Sequence, residues 1–198
     1  MTDRRQRILS GLDLAGTGLE IGGGYAPVAP KGEFSVDHLD HADRPALIEK
    51  YAAQGIGTAN IQPIDYVWSG QSYAELVGPK RYDWIIASHV IEHVPDPIGF
   101  LLDCAAILND RGIVSLVVPD KRRCFDYFRP ASGIARLIDA FVHRERSTTV
   151  GSVVEHIINA AAVDGAITWD HDDPVPAPRF VHTVEQARGL YESITRNG

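Results

Sequence analysis

The stretch Gly18-Leu19-Glu20-Ile21-Gly22-Gly23-Gly24-Tyr25 decides how this chain is read. A short extended run enters three successive glycines, with an acid two places before the first. Glycines at such a tip let the chain turn sharply and let backbone N–H groups approach a ligand closely. A nucleotide-like ligand fits, although a triple glycine also serves as a plain flexible turn. The dinucleotide pattern GxGxxG does not fit, because the sixth position from Gly22 is Pro27.

Working outward, Phe34 to Val36, Trp84 to Ala87 and Ile113 to Val118 repeat the short, nearly continuous apolar run of Gly18 to Ile21. Ile61 to Tyr66 is a weaker strand, interrupted by Pro63 and so suited to an edge. Between the runs, Arg44 to Gln54 and Ile98 to Leu108 carry apolar residues at helical spacing, and Asn109 to Gly112 reads as a helix stop and turn. Strands that alternate with helices in this way predict an α/β fold with a doubly wound, mostly parallel sheet. Beyond Pro119 the helical stretches Ile134 to Val142, Val153 to Val163 and Val184 to Ile194 are expected to cover the sheet's carboxyl edge. The Asp/Pro-rich run Asp170 to Pro178 reads as a loop. The 198 residues suit one domain, with a core over 15–120 and a helical, substrate-selecting region over 121–198.

Composition narrows the partners. A formal charge of -7 disfavours a phosphate backbone or an anionic bilayer, though a local basic patch would still serve an anionic substrate. No segment offers the roughly 20 apolar residues of a bilayer span, and the Arg-rich start lacks an apolar leader core, so a cytoplasmic location is expected. The two cysteines, Cys104 and Cys124, lie in no metal-spaced cluster and read as reduced thiols. His38, Asp40 and His41 resemble metal ligands only superficially, since no further cluster complements them, and no metal is expected.

Two further stretches carry chemistry. In Phe34-Ser35-Val36-Asp37 an acid ends the apolar run, where a carboxylate can accept both hydroxyls of a ribose or simply cap the next element. Tyr82 to Pro97 contains a strand ending at Ser88, so Ser88 and His89 emerge at the carboxyl edge, with His93 one turn later.

Taken in order, Glu20-x-Gly22-x-Gly24, Asp37, the stretch Tyr82 to Pro97 with its Ser88-His89-Val90-Ile91-Glu92-His93 signature, and Leu108 to Pro119 resemble the class I S-adenosylmethionine-dependent methyltransferase family. The likeness is greatest to its small-molecule and sugar-pathway branch and covers roughly residues 15–130. It implies a Rossmann-like sheet, S-adenosylmethionine as cofactor and a small-molecule or sugar acceptor. Residue by residue, it implies that Glu20 orders the Gly22, Gly23 and Gly24 loop around the methionine end. Asp37 would then hold the ribose, His38 and Asp65 would lie by the adenine, and Ser88 and His89 near the reactive methyl.

For a hydroxyl acceptor, His89 or His93 would take the proton, because an imidazole titrates near neutrality. His93 equally suits a backbone-bonded role that fixes the loop. Lys121, Arg122 and Arg123 form an anion clamp or a solvated face, and His156 and His182 are further imidazoles within possible reach of the cleft. The family's sheet usually closes with two more strands, which this sequence lacks after Val184 to Ile194. Three alternatives are expected: a shortened member of the family, a fragment, or a chain whose sheet edge a second copy in a homo-oligomer or a partner chain covers. The same absence supports the alternative of a non-catalytic cofactor-binding or scaffold domain.

Overall fold

Gly18–Ile21 forms strand β1, and all four of its residues are buried. In the computed structural model, which describes residues 3–170 and 176–196, β1 is the central strand of a five-stranded parallel sheet. Its neighbours are β2 (Val36–Asp40) on one side and β4 (Tyr82–Ser88) on the other. Outside them lie β3 (Tyr66–Val67) and β5 (Leu108–Val117), giving the order β3-β2-β1-β4-β5. This is a Rossmann-like α/β fold, in which ligands lie beyond the carboxyl ends of the strands.

Helix α1 (Arg4–Leu9) contributes Ile8 to a core cluster with Val28, Ala29, Val36, Trp84 and Ile86. Trp84 lies flat against β1, where a Cβ on Gly18 would stand 2.1 Å from its indole. Fully burying a large apolar side chain of this kind is worth about 1.5–3 kcal/mol. Helix α2 (Arg44–Ala53) starts on Asp43, whose carboxylate accepts from the Ala46 N–H, and it buries Leu47. Helix α3 (Tyr73–Val77) carries a reciprocal Ser72 and Glu75 cap, and α4 (Pro97–Ala106) buries Phe100 and Cys104. Burial pushes the Cys104 thiol up to about 12, so it is an inert core group.

Two compact units divide the chain: residues 1–93 with 97–118, and 94–96 with 119–198. The second contains α5 (Ile134–Val142), α6 (Val150–Asn159), α7 (Val184–Arg196) and an antiparallel pair, β6 (Ala161–Ala162) with β7 (Arg179–Phe180).

Three sequence expectations need correction. The second strand runs over Val36–Asp40 and not Phe34 to Val36, because its polar residues find partners inside the protein. Residues 109–112 do not form a free turn: β5 starts at Leu108, and as β4 advances from Tyr82 to Trp84 its partner advances from Leu108 to Ile113, so the extra residues form a bulge. The helix expected over Val153 to Val163 spans Val150–Asn159 and gives way to β6. Of the Asp170 to Pro178 loop, residues 171–175 lie outside the described residues.

Candidate functional site

The turn after β1 admits only glycine at two places. Gly22 and Gly24 have φ of +67° and +50°, in the left-handed region. A Cβ at Gly22 would sit 2.7 Å from the Val90 side chain, and one at Gly24 would sit 2.7 Å from the Tyr51 hydroxyl. Gly23 lies over the Glu20 carboxyl group, 3.3 Å from where its own Cβ would be.

Glu20 forms the floor of this loop. It is 1% exposed, and its carboxylate accepts from the N–H groups of Val28 at 2.7 Å and Ala29 at 2.9 Å. Burial pushes the Glu20 carboxyl above its ordinary value, only partly opposed by those two bonds and by the charge of Arg5. Its shape-giving contacts are therefore with the chain returning from the turn.

The acid at the tip of the second strand is Asp40, not Asp37. Asp37 is the second residue of β2, and its carboxylate faces the residues that open β4: it accepts from the Tyr82 hydroxyl at 2.7 Å and pairs with Lys80 at 2.5 Å. Burial works against the charge on Asp37, but the bonds from Lys80 and Tyr82 outweigh it and hold the carboxyl below its usual range. Asp40 ends the strand. Its Oδ2 accepts from the Gly24 N–H at 3.3 Å, and its Oδ1 accepts from the His41 N–H at 2.8 Å and meets His41 Nδ1 at 2.5 Å. Lys50 Nζ lies 3.1 Å from His41 Nε2. An ammonium can only donate, so Nε2 accepts and Nδ1–H points at Asp40. Asp40 and the Tyr25 ring also surround Tyr51, whose hydroxyl is pushed up chiefly by burial and then by the Asp40 charge.

His38 is buried, and Asp65 is exposed but precedes β3, away from its carboxyl end. His38 is 2% exposed, with Nδ1 3.9 Å from Glu20 Oε2, and burial holds its imidazole below its ordinary value. Asp65 stands before β3, where its carboxylate accepts from the His38 N–H at 2.7 Å and pairs with Lys31 at 2.6 Å. At the carboxyl end of β3 the corresponding position is Trp68, whose N–H donates to the Asp40 carbonyl at 2.8 Å.

At the tip of β4, the Ser88 hydroxyl accepts from the Arg4 guanidinium at 2.8 Å. His89 has a φ of +56°, a costly conformation for a residue with a Cβ and one that gathers at functional sites. Its Nδ1 lies 3.3 Å from Glu92 Oε1. His93 ends the following single turn, Ile91–His93, and its imidazole has no hydrogen-bond partner among the described residues. The first unit thus brings Gly22, Gly23, Gly24, Ser88 and His89 to the carboxyl edge of the sheet. Asp37, His38 and Asp65 do not reach it.

Lys121, Arg122, Arg123, His156 and His182 belong to the second unit. There Arg122 binds Asp120 and holds that carboxyl at about 2, while Lys121 Nζ donates to the Arg129 carbonyl at 2.6 Å. His156 Nδ1 lies 4.0 Å from Asp126. Sequence analysis weighs Asp40 and His41 only as metal ligands and does not single out Tyr51 or Arg4 as residues beside the turn and the tip of β4. Asp40 carries a readable signal, standing three residues before the helix cap at Asp43, and His41 is its neighbour, whereas the Arg4 contact to Ser88 spans 84 residues.

Among the described residues, no group of three or more His, Cys, Asp or Glu side chains could hold a metal ion, and no helix is long and apolar enough to cross a membrane.

A family model described as a methyltransferase domain matches residues 1–150. No curated protein matches the chain. Among solved structures, the chain is similar to the CcbJ methyltransferase from Streptomyces caelestis, at 22% identity over 65% of this chain and 52% of that one, with a TM-score of 0.40. It is also similar to DhpI in a complex with SAM and HEP, at 20% identity over 58% of this chain and 52% of that one, with a TM-score of 0.37. A third is PKMT2 from Rickettsia typhi in complex with AdoHcy, at 20% identity over 56% of this chain and 23% of that one, with a TM-score of 0.34. The chain spans about half the length of the first two, 52% in each case.

Proposed function

The chain belongs to the methyltransferase-domain family, and on that premise we propose that it moves a methyl group from S-adenosylmethionine to a small-molecule or sugar acceptor. The observation that carries the reading is the contact between the Gly24 N–H and the Asp40 carboxylate, which joins the glycine turn of β1 to the acid ending β2. A turn that any Cβ would fill, bordered by a carboxylate, fits an adenosyl group: the glycines leave room for it and the acid suits the two ribose hydroxyls.

When bound, the cofactor supplies a methyl group on a positively charged sulfur, open to in-line displacement. The chain's own residues hold and align. Glu20 fixes the loop from beneath, the turn of Gly22 to Gly24 leaves the space, its Gly22 and Gly24 N–H groups being bonded to Leu39 and Asp40, and Asp40 would hold the ribose diol. Asp40 is 4% exposed and His41 is the exposed member of their pair, so Asp40 would hold a ribose hydroxyl at Oδ1 once the His41 imidazole gives way. Positioning alone supplies up to about 7–11 kcal/mol of barrier lowering in favourable cases.

For a hydroxyl acceptor, His89 is the better base of the two candidates. Glu92 lies beside its Nδ1 and orients the ring, leaving Nε2 to take the proton. Incubation with methyl-labelled S-adenosylmethionine and a panel of hydroxylated acceptors, sugars included, tests the reading. Labelled acceptor formed in step with S-adenosylhomocysteine is expected. Tight cofactor binding with no turnover across the panel would favour a non-catalytic cofactor-binding domain.

A further inference from the structure

Helix α1 runs alongside the sheet with its first turn at the tip of β4. Arg4 reaches Ser88 at 2.8 Å, and the Ile8 carbonyl accepts from the hydroxyl of Ser115, on the edge strand β5, at 2.8 Å. The two neighbouring arginines at the start of this helix are used differently. Arg5 is committed to the fold: it donates to the Val28 carbonyl at 2.9 Å and pairs with Glu33 at 2.6 Å. Arg4 is exposed; among the described residues its one polar side-chain partner is the neutral Ser88 hydroxyl, and no described carboxylate lies within ion-pair distance of it.

In a chain of net charge -7, an arginine at the carboxyl edge of the sheet that pairs with no acid among the described residues needs a reason. A guanidinium has five N–H donors in a planar fork that matches carboxylate and phosphate, and the bond to Ser88 leaves most of them available. That bond also fixes the direction of the fork, which lowers the ordering cost when an anion arrives.

We propose that Arg4 is an anion-binding residue of the candidate site, taking a carboxylate or phosphate of the ligand bound at the carboxyl edge, with Ser88 as its positioning partner. This rests on the methyltransferase reading above and extends it. Two ligands could bring the charge: the cofactor, through its amino-acid carboxylate, and an acceptor that is itself acidic. In the second case the acceptor class narrows to acidic small molecules, such as carboxylated or phosphorylated sugars.

Calorimetric titration of the full chain, as wild type, Arg4→Gln and Arg4→Lys, separates these sources. S-adenosylhomocysteine carries the carboxylate and methylthioadenosine lacks it. If the cofactor is the source, Arg4→Gln weakens S-adenosylhomocysteine by about tenfold or more, the scale of one charge-assisted hydrogen bond, and leaves methylthioadenosine unchanged. If the acceptor is the source, both adenosyl ligands bind the variant normally. Inorganic phosphate titrated into the S-adenosylhomocysteine-loaded chain then binds wild type about tenfold more tightly than Arg4→Gln, with Arg4→Lys between them.

Identical behaviour of wild type and Arg4→Gln in both arms overturns the proposal and leaves Arg4 as a surface contact of Ser88. Should wild type bind neither adenosyl ligand, the cofactor reading falls by itself. Phosphate titrated into the free chain still decides the question for Arg4, with a weaker response in Arg4→Gln supporting it and an equal response overturning it. Thermal unfolding of each variant confirms that a lost response is not lost folding.

Discussion

The Gly24 N–H donates to the Asp40 carboxylate across 3.3 Å, tying the turn after the first strand to the end of the second. The two groups lie 16 residues apart in sequence and come together because β1 and β2 pair in parallel, Ile21 opposite Leu39. Both therefore emerge at the same edge of the sheet.

Gly24→Ala tests the turn. The new Cβ would meet the Tyr51 hydroxyl at 2.7 Å, and a φ of +50° strains any residue with a Cβ. A stability loss of about 1–3 kcal/mol is expected in denaturant unfolding, together with weakened adenosyl binding. Unchanged stability and binding would mean that the turn relaxes freely and is not a built cradle.

His41→Ala tests the imidazole on Asp40. In the ligand-free chain His41 occupies Oδ1, which the ribose is proposed to claim, so its removal should tighten S-adenosylhomocysteine binding by up to about tenfold. Weaker binding in calorimetry would instead assign the imidazole a direct contact with the ligand.

Asp37→Asn tests the other acid of the strand, which is assigned to stability. Its bonds to Lys80 and Tyr82 hold the carboxyl below its ordinary value, so its contribution is fully present above about pH 4 and is lost as pH falls through that lowered value. The variant should lose about 1 kcal/mol at neutral pH, discounted because the pair is partly exposed to solvent. The gap to wild type should close in unfolding measured near pH 3. A gap that persists in acid would show that charge is not what Asp37 contributes.

Much of this architecture is legible in the sequence where burial and apolar character coincide. Gly18 to Ile21 and Trp84 to Ala87 are continuous buried runs, and the helix after Asp43 has both a cap and an amphipathic interior. The second strand is harder because Asp37, His38 and Asp40 read as its end. They belong inside it only because Lys80 and the Gly24 N–H donate to Asp37 and Asp40 and Glu20 stands beside His38, all distant in sequence. The same displacement makes Asp40, not Asp37, the acid that ends the strand. Asn109 to Gly112 carries turn residues, yet pairing with β4 absorbs them into a bulge. The six residues of α1 bury only Ile8, too little apolar pattern to announce a helix. The short helix after Ser72 did carry a local signal, the Ser72 and Glu75 cap.

The most direct test is calorimetric titration of S-adenosylhomocysteine into the full chain and its Asp40→Asn and Asp37→Asn variants. Micromolar binding by wild type is expected, weakened about a hundredfold by Asp40→Asn through loss of two charge-assisted hydrogen bonds, and changed by no more than about threefold in Asp37→Asn. Binding that survives Asp40→Asn but fails in Asp37→Asn, or that is absent from the wild-type chain, contradicts the account.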